Sequence, residues 1–427
     1  MARTLSKELL LRDIDFISKS KELYTENIET VAERYSSLTE GLVGDIYFFS
    51  SSGRVELVGN HTDHNNGLVI AGCINLDVVG AVVKTKEKAV TIKSAGFPEF
   101  KVCLDDLSVE ESLYGTSVAL LQGVIKGLLD RGHNVGGFVM NAHSNIFKGA
   151  GVSSSAAFEL LLCEVFNVLY NDGKINAIEK AIISQFAENV YFGKPSGLMD
   201  QLTISCGGVS FMDFADVKKP TVKKAPWNMD DLSLVIINCG GDHCNLTGEY
   251  AAIRKEMNEI AAFFGKKVLR EVDFSVFEEN LLLLKEKFSG RAIMRAIHFF
   301  KENERVNKAY IALNERDEEG FLNLINASGL SSYMLLQNCY PLGDTAQSVP
   351  LALALVKLNN DTLACRVHGG GFAGTILTMV KREKGEEYVG KMAKYFGKEN
   401  VFLLSVRKYG ATQVAHINMI EGKHNGN

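Results

Sequence analysis

Residues 149–157 read GAGVSSSAA, and the run that follows, 155–171, reads SAAFELLLCEVFNVLYN. A glycine- and serine-rich lead-in to an apolar helix has a direct physical reading. Glycines let the backbone turn tightly and come close to a ligand, and the free N–H groups of a helix start attract an anion. Three serines add hydroxyls that can bond phosphate oxygens or ligate a cation. The run is not a Walker A loop, because no Gly-Lys-Ser/Thr ends it. It is not a dinucleotide fingerprint either, because serine stands where the third glycine belongs. Taken alone, a Ser-capped helix with a flexible lead-in explains it equally well.

Two other glycine-bearing segments flank it in the chain. Residues 53–67 read GRVELVGNHTDHNNG. Here a strand ends at Gly59, and a polar turn presents Asn60, His61, Asp63 and His64. Such a density of donors and acceptors suits sugar hydroxyls. A metal site and a plain Asn-Gly turn are the competing readings. Residues 368–374 read HGGGFAG between two strand-like runs. Three successive glycines cost entropy unless their backbone freedom is used, although a tight hairpin also uses it.

The surrounding pattern alternates strand and helix. Strands are predicted at 54–58, 68–83, 89–94, 137–143, 209–214, 232–239, 362–368, 374–381 and 401–406 from their Val, Ile and Phe content and Gly or Asn flanks. Helical periodicity marks 112–131, 155–171, 176–192, 246–264, 291–302, 305–317, 319–337 and 346–358. The basic, proline-bearing stretch VKKPTVKKAPW shifts the composition and marks a domain boundary, giving lobes 1–212 and 213–427.

With 427 residues the chain can form more than one core. A net charge of −5 offers no basic footprint for nucleic acid or an anionic membrane. The eight cysteines form no C-x-x-C pair and mostly sit in apolar runs, as expected of reduced thiols. The first residues, MARTLSKELLLRDIDF, carry too short an apolar run for a signal peptide, and no run reaches bilayer length. A cytoplasmic protein is expected, without nucleic acid or membrane as partner.

Together, the order and spacing of the three segments resemble the motifs of the GHMP kinases. The first is similar to the galactokinase signature G-R-V-N-L-I-G-E-H-T-D-Y-N-D-G, the second to P-x-G-x-G-L-S-S-S-A, and the third to T-G-G-G-F-G-G. Residues 187–201, AENVYFGKPSGLMDQ, resemble the galactokinase A-E-x-x-x-x-G-x-P-x-G-I-M-D-Q. The resemblance implies the two-lobed GHMP kinase fold: an α/β, ribosomal-protein-S5-like N-terminal lobe and an α+β GHMP lobe. It implies transfer of the ATP γ-phosphoryl group to the anomeric hydroxyl of galactose, and a monomer is the default expectation. Asp200 would be the base and Arg54 would keep it ionised. Asn60, His61, Asp63, Gly197 and Tyr250 would bind the sugar. Ser94 and the run Gly149, Ala150, Gly151, Val152, Ser153, Ser154 and Ser155 would bind ATP, with Ser155 and Glu188 on Mg²⁺.

The sequence departs from the pattern at several positions. Asn60 replaces a glutamate that in the family reaches the sugar's 6-hydroxyl, which raises a C6 acid, galacturonate, as an alternative substrate. Its amide can equally bond the galactose hydroxyl. Lys148 near the phosphate loop and His368 in the third segment are further departures without an assigned role. A non-catalytic sugar sensor is the rival from another class, and the intact serine run with Arg54, Glu188 and Asp200 argues against it.

Overall fold

The structure, a computed structural model, describes residues 5–146, 151–240, 246–372 and 374–418. Its strands are β1 (Ile46–Val58), β2 (Leu68–Lys84), β3 (Ala89–Ser94), β4 (Phe100–Cys103), β5 (Phe138–Ser144), β6 (Val209–Asp213), β7 (Thr221–Ala225), β8 (Leu232–Asn238), β9 (Ala364–His368), β10 (Thr375–Lys381), β11 (Val401–Leu404) and β12 (Thr412–Ile417). They form two sheets. The larger is ordered β12-β1-β2-β5-β3-β4, with β6 pairing to β2 and β7 to β6. It is antiparallel except between β3 and β5. The smaller is antiparallel, ordered β11-β8-β10-β9.

The sequence explains why β2 sits centrally. LVIAGCINLDVVGAVVK is nearly continuous in apolar residues, and most of it is buried, as a strand covered on both faces requires. The helix Ser154–Tyr170 packs across β1 and β2. Its Leu160, Leu161 and Phe166 join Val55, Leu57 and Ile70 in the main core. The smaller sheet is covered by the helices Ser348–Lys357 and Gly385–Phe396 through Val349, Val356, Tyr388 and Met392.

One helix, Gly290–Glu315, ties the larger sheet to the second half of the chain. The periodicity predicted two helices here, broken at 303–304. Instead Asn303 stays helical and its side chain works on both sides. Nδ2 donates to Phe299 O at 2.9 Å and Oδ1 accepts the Leu68 amide at 2.7 Å. The helices predicted at 176–192 and 319–337 do run that far, but their last turns widen into π-helix at Ala187–Tyr191 and Ser332–Leu336. Such turns frequently mark functional positions, and these two carry Glu188 and Ser332.

β7 lies beyond the predicted division at residues 212 and 213, and β12 returns from the far end of the chain to pair with β1. Thus the larger sheet takes strands from both sides of that division. The cysteines described are free thiols, with Cys73, Cys163, Cys339 and Cys365 buried and Cys103 exposed. Among the described residues, no helix is long and apolar enough to cross a membrane.

Candidate active site

The predicted phosphate loop is described from Gly151 onward; Gly149, Ala150 and Lys148 lie outside the described residues. β1 runs against it, the Arg54 amide donating to Val152 O at 3.1 Å. Ser153 precedes the helix Ser154–Tyr170 with φ of 64°. That conformation is uncommon for a residue other than glycine and is a pointer to function. Its hydroxyl does not cap the helix; it donates to Asp200 Oδ2. The first-turn amides are therefore left without a side-chain cap, as an anion site at a helix start needs.

Asp200 stands in the first turn of the helix Met199–Cys206. Arg54 grips it with Nε on Oδ1 at 2.7 Å and Nη2 on Oδ2 at 2.8 Å, while Nη1 donates to Gly151 O at 2.6 Å. The guanidinium is nearly buried, and the carboxylate keeps about a fifth of its surface open, 22%. Burial pushes the Asp200 pKa up, but the Arg54 charge and the bonds from Arg54 and Ser153 outweigh it and hold it down at about 2.

Glu188 is buried beside this group, and its two oxygens take four donors. Ser155 Oγ and Lys194 Nζ reach Oε1, both at 2.8 Å. Ser196 Oγ and Gln201 Nε2 reach Oε2, both at 2.7 Å. Gln201 also reaches Glu159 Oε2 at 3.3 Å. Glu159 is fully buried; desolvation, with the Glu188 charge adding to it, drives its pKa well above the carboxylate range. Lys194, Ser196, Gln201 and Glu159 were not singled out from the sequence. Lys194, Ser196 and Gln201 lie inside the 187–201 motif, Gln201 at one of its fixed positions, and Glu159 follows the serine run.

On the other side, the 60–67 turn packs against the third glycine segment. His61, also left-handed at φ 58°, places Nε2 2.9 Å from Gly370 O and stacks its ring against Tyr250 at 6.4 Å. Tyr250, in the first turn of the helix Thr247–Phe263, donates to Gly371 O at 3.0 Å. An added Cβ at Gly370 would lie 2.6 Å from the Tyr250 ring, so the backbone must be bare there. At Gly197 the same atom would lie 2.2 Å from Asp63 Oδ2. Hence the structure brings His61 against Tyr250 and Asp63 against Gly197. Burial, with His64 adding to it, lowers the His61 pKa to about 3, so the ring is neutral.

Asn60, at the start of the same turn, is held within the protein. Its side chain is fully buried and bonded inside the protein: Nδ2 donates to Glu56 Oε1 at 3.1 Å and Gly369 O at 2.8 Å. Oδ1 accepts from Asn338 Nδ2 at 2.8 Å and Ser332 Oγ at 3.2 Å. Glu56 in turn meets the fully buried Arg366 at 2.6 Å. His368 is buried as well; its Nε2 accepts the Glu56 amide at 3.2 Å and its Nδ1 faces Thr375 Oγ1 at 3.3 Å. It packs beneath the glycine turn as a strut from β9 to β1. Ser94 ends β3, where its carbonyl accepts the Phe97 amide at 3.0 Å. Among the described residues, no hydrogen bond ties Ser94 to the 151–155 run.

Residues 40–84 match the model of the galactokinase galactose-binding signature, and residues 119–208 that of the GHMP kinases N terminal domain. A galactokinase of Streptococcus mutans is 31% identical over 352 residues, covering 81% of this chain and 87% of its own. One of Streptococcus thermophilus is 30% identical over 370 residues, covering 85% and 92%. The crystal structure of Lactococcus lactis galactokinase complexed with galactose superposes with a TM-score of 0.77 at 22% identity, over 90% of this chain and 99% of that one. That structural likeness establishes the fold. Identity at this level, sustained across most of both chains, does more: the protein belongs to the galactokinase family of GHMP phosphotransferases.

Proposed function

We propose that this phosphotransferase moves the γ-phosphoryl group of ATP to the anomeric hydroxyl of galactose, giving ADP and galactose 1-phosphate. The observation that carries the reading is the joining of Arg54, Ser153 and Asp200 at the start of the helix Ser154–Tyr170. In the transfer, the bond from the sugar oxygen to phosphorus forms, the bond from phosphorus to the β-phosphate oxygen breaks, and the hydroxyl proton passes to Asp200. With its pKa held at about 2, Asp200 is a weak base and takes the proton late, when the oxygen is already bonding to phosphorus. Arg54 keeps the carboxylate ionised and lies next to the group being transferred. The uncapped helix start and Ser154 present N–H and hydroxyl donors to the phosphates.

Ser155 Oγ and Glu188 Oε1 offer the hard oxygen donors that Mg²⁺ takes alongside phosphates and water. Bound there, the ion would neutralise charge on the phosphate oxygens. Glu188 is aimed by Ser196 and Gln201 on its other oxygen.

For the sugar, His61, Asp63, Gly197 and Tyr250 form the pocket in this reading. Asn60 supports it from beneath. The case for a C6 acid needed position 60 to have lost a negative charge near the substrate. Instead the Asn60 amide is buried and engaged within the protein, and the nearby Glu56 is paired with Arg366, so position 60 does not open a binding site for a carboxylate. Galactose is therefore the substrate we propose. The enzyme is proposed to act as a cytoplasmic monomer, with lobes divided near residues 212 and 213 and β7 and β12 contributed back to the first. Measuring ATP consumption with galactose, galacturonate, N-acetylgalactosamine and glucose tests the assignment. Galactose should be preferred, and a preference for galacturonate would overturn it.

A further inference from the structure

Four donors hold Glu188, and they are not alike. Ser155 and Gln201 are neutral and stand on helices, and Ser196 is neutral in the loop it shares with Lys194. Lys194 alone is charged, and its side chain is 56% exposed. Its backbone is fixed close by, the Lys194 amide donating to Glu188 O at 3.1 Å between Gly193 and Pro195. The three neutral donors already orient the carboxylate, so the ammonium is the donor that can leave. It also reaches Oε1, the same oxygen that Ser155 Oγ reaches, both at 2.8 Å. A cation held by Ser155 and Glu188 would compete with the ammonium for that oxygen.

We propose that Lys194 is a positioning residue that competes with the divalent cation for Glu188 and yields it when nucleotide phosphates offer the ammonium a new partner. This rests on the assignment of Ser155 and Glu188 as the metal's ligands. Two like charges cannot share one carboxylate oxygen at contact distance without large repulsion. The incoming phosphates carry the negative charge that a released, solvent-reaching lysine seeks. Metal and nucleotide therefore bind cooperatively, each relieving a cost the other meets alone.

The test is Lys194→Met, with Lys194→Arg and Glu188→Gln as companions, read by Mn²⁺ binding in electron paramagnetic resonance and by ATP binding in calorimetry. Mn²⁺ affinity without nucleotide should rise roughly three- to fivefold in Lys194→Met, the scale of a half-exposed ion pair. Metal-free ATP affinity should fall by a similar factor, and Lys194→Arg should stay near wild type. Unchanged Mn²⁺ affinity in Lys194→Met, with a wild type that binds Mn²⁺ through Glu188, overturns the role of the lysine alone. If Glu188→Gln leaves Mn²⁺ binding in the presence of ATP unaltered, the metal assignment falls and the proposal with it.

Discussion

Arg54 and Asp200 face one another through two parallel hydrogen bonds, Nε to Oδ1 at 2.7 Å and Nη2 to Oδ2 at 2.8 Å. This fork fixes both the direction and the ionisation of the carboxylate. With Asp200 titrating at about 2, kcat/KM has no acid limb from this group between about pH 4 and 8. Arg54→Gln removes the main charge that opposes burial. The acid limb of that variant should appear above the ordinary ~3.9 of an aspartate, within the range a pH–rate profile covers. The stability sign follows the same logic. A depressed folded pKa gives stabilisation that is complete above ~3.9 and lost as the pH falls through about 2.

Three buried histidines lower stability at milder acidity, opposed in part by Glu159, whose raised pKa works the other way. Burial keeps His61, His298 and His368 neutral, lowering each pKa below its ordinary value, that of His61 to about 3. Below ~6.5 the unfolded chain binds protons that the native protein refuses, so stability falls with pH. Each ring contributes up to ~1.4 kcal/mol per pH unit in that window. Urea midpoints measured from neutrality to about pH 5 should decline steadily, and a flat profile would contradict neutral rings.

Asn60 is predicted to matter for folding rather than for choice of sugar. Asn60→Ala removes the acceptor of Ser332 Oγ and of one Asn338 Nδ2 bond, and the donor to the part-buried Gly369 carbonyl, and should cost roughly 2–4 kcal/mol. The ratio of kcat/KM for galactose to that for galacturonate should stay within roughly threefold of wild type, since the side chain faces protein. A reversal of that ratio would return Asn60 to the substrate.

Gly197 is predicted to be intolerant of any side chain. Gly197→Ala drives its methyl toward Asp63 Oδ2, 2.2 Å from the ideal Cβ position. Asp63 must turn away, so KM for the sugar should rise roughly ten- to hundredfold while KM for ATP holds. Equal changes in both would place Asp63 outside the sugar pocket.

What could be read from the sequence, and what could not, divides along physical lines. The helix behind the serine run and the central strand β2 were legible because their apolar residues follow the element's own period. β1 was seen only from residue 54. Its first half contains Ser50, Ser51 and Ser52, which break the apolar pattern although all three are buried. Ser50 is tolerated there because Asp77, held also by Arg34 and Arg407, accepts its hydroxyl at 2.5 Å. Asp77 and its partners come from four distant parts of the chain, and no local pattern announces them. The same holds at the site. Arg54, Asp200 and Gln201 carry motif signatures, whereas Lys194 and Glu159 acquire meaning only when the π-helical turn at Ala187–Tyr191 brings Glu188 among them.

The most direct test of the account is the phosphorus spectrum of the product formed from ATP and galactose by the wild-type enzyme and by Asp200→Asn. Wild type should give ADP and a sugar phosphate coupled to the anomeric proton. The variant should form it roughly 10²–10⁴-fold more slowly with little change in KM for galactose. A phosphate on another hydroxyl, or a variant as fast as wild type, would contradict the reaction and the base assigned to it.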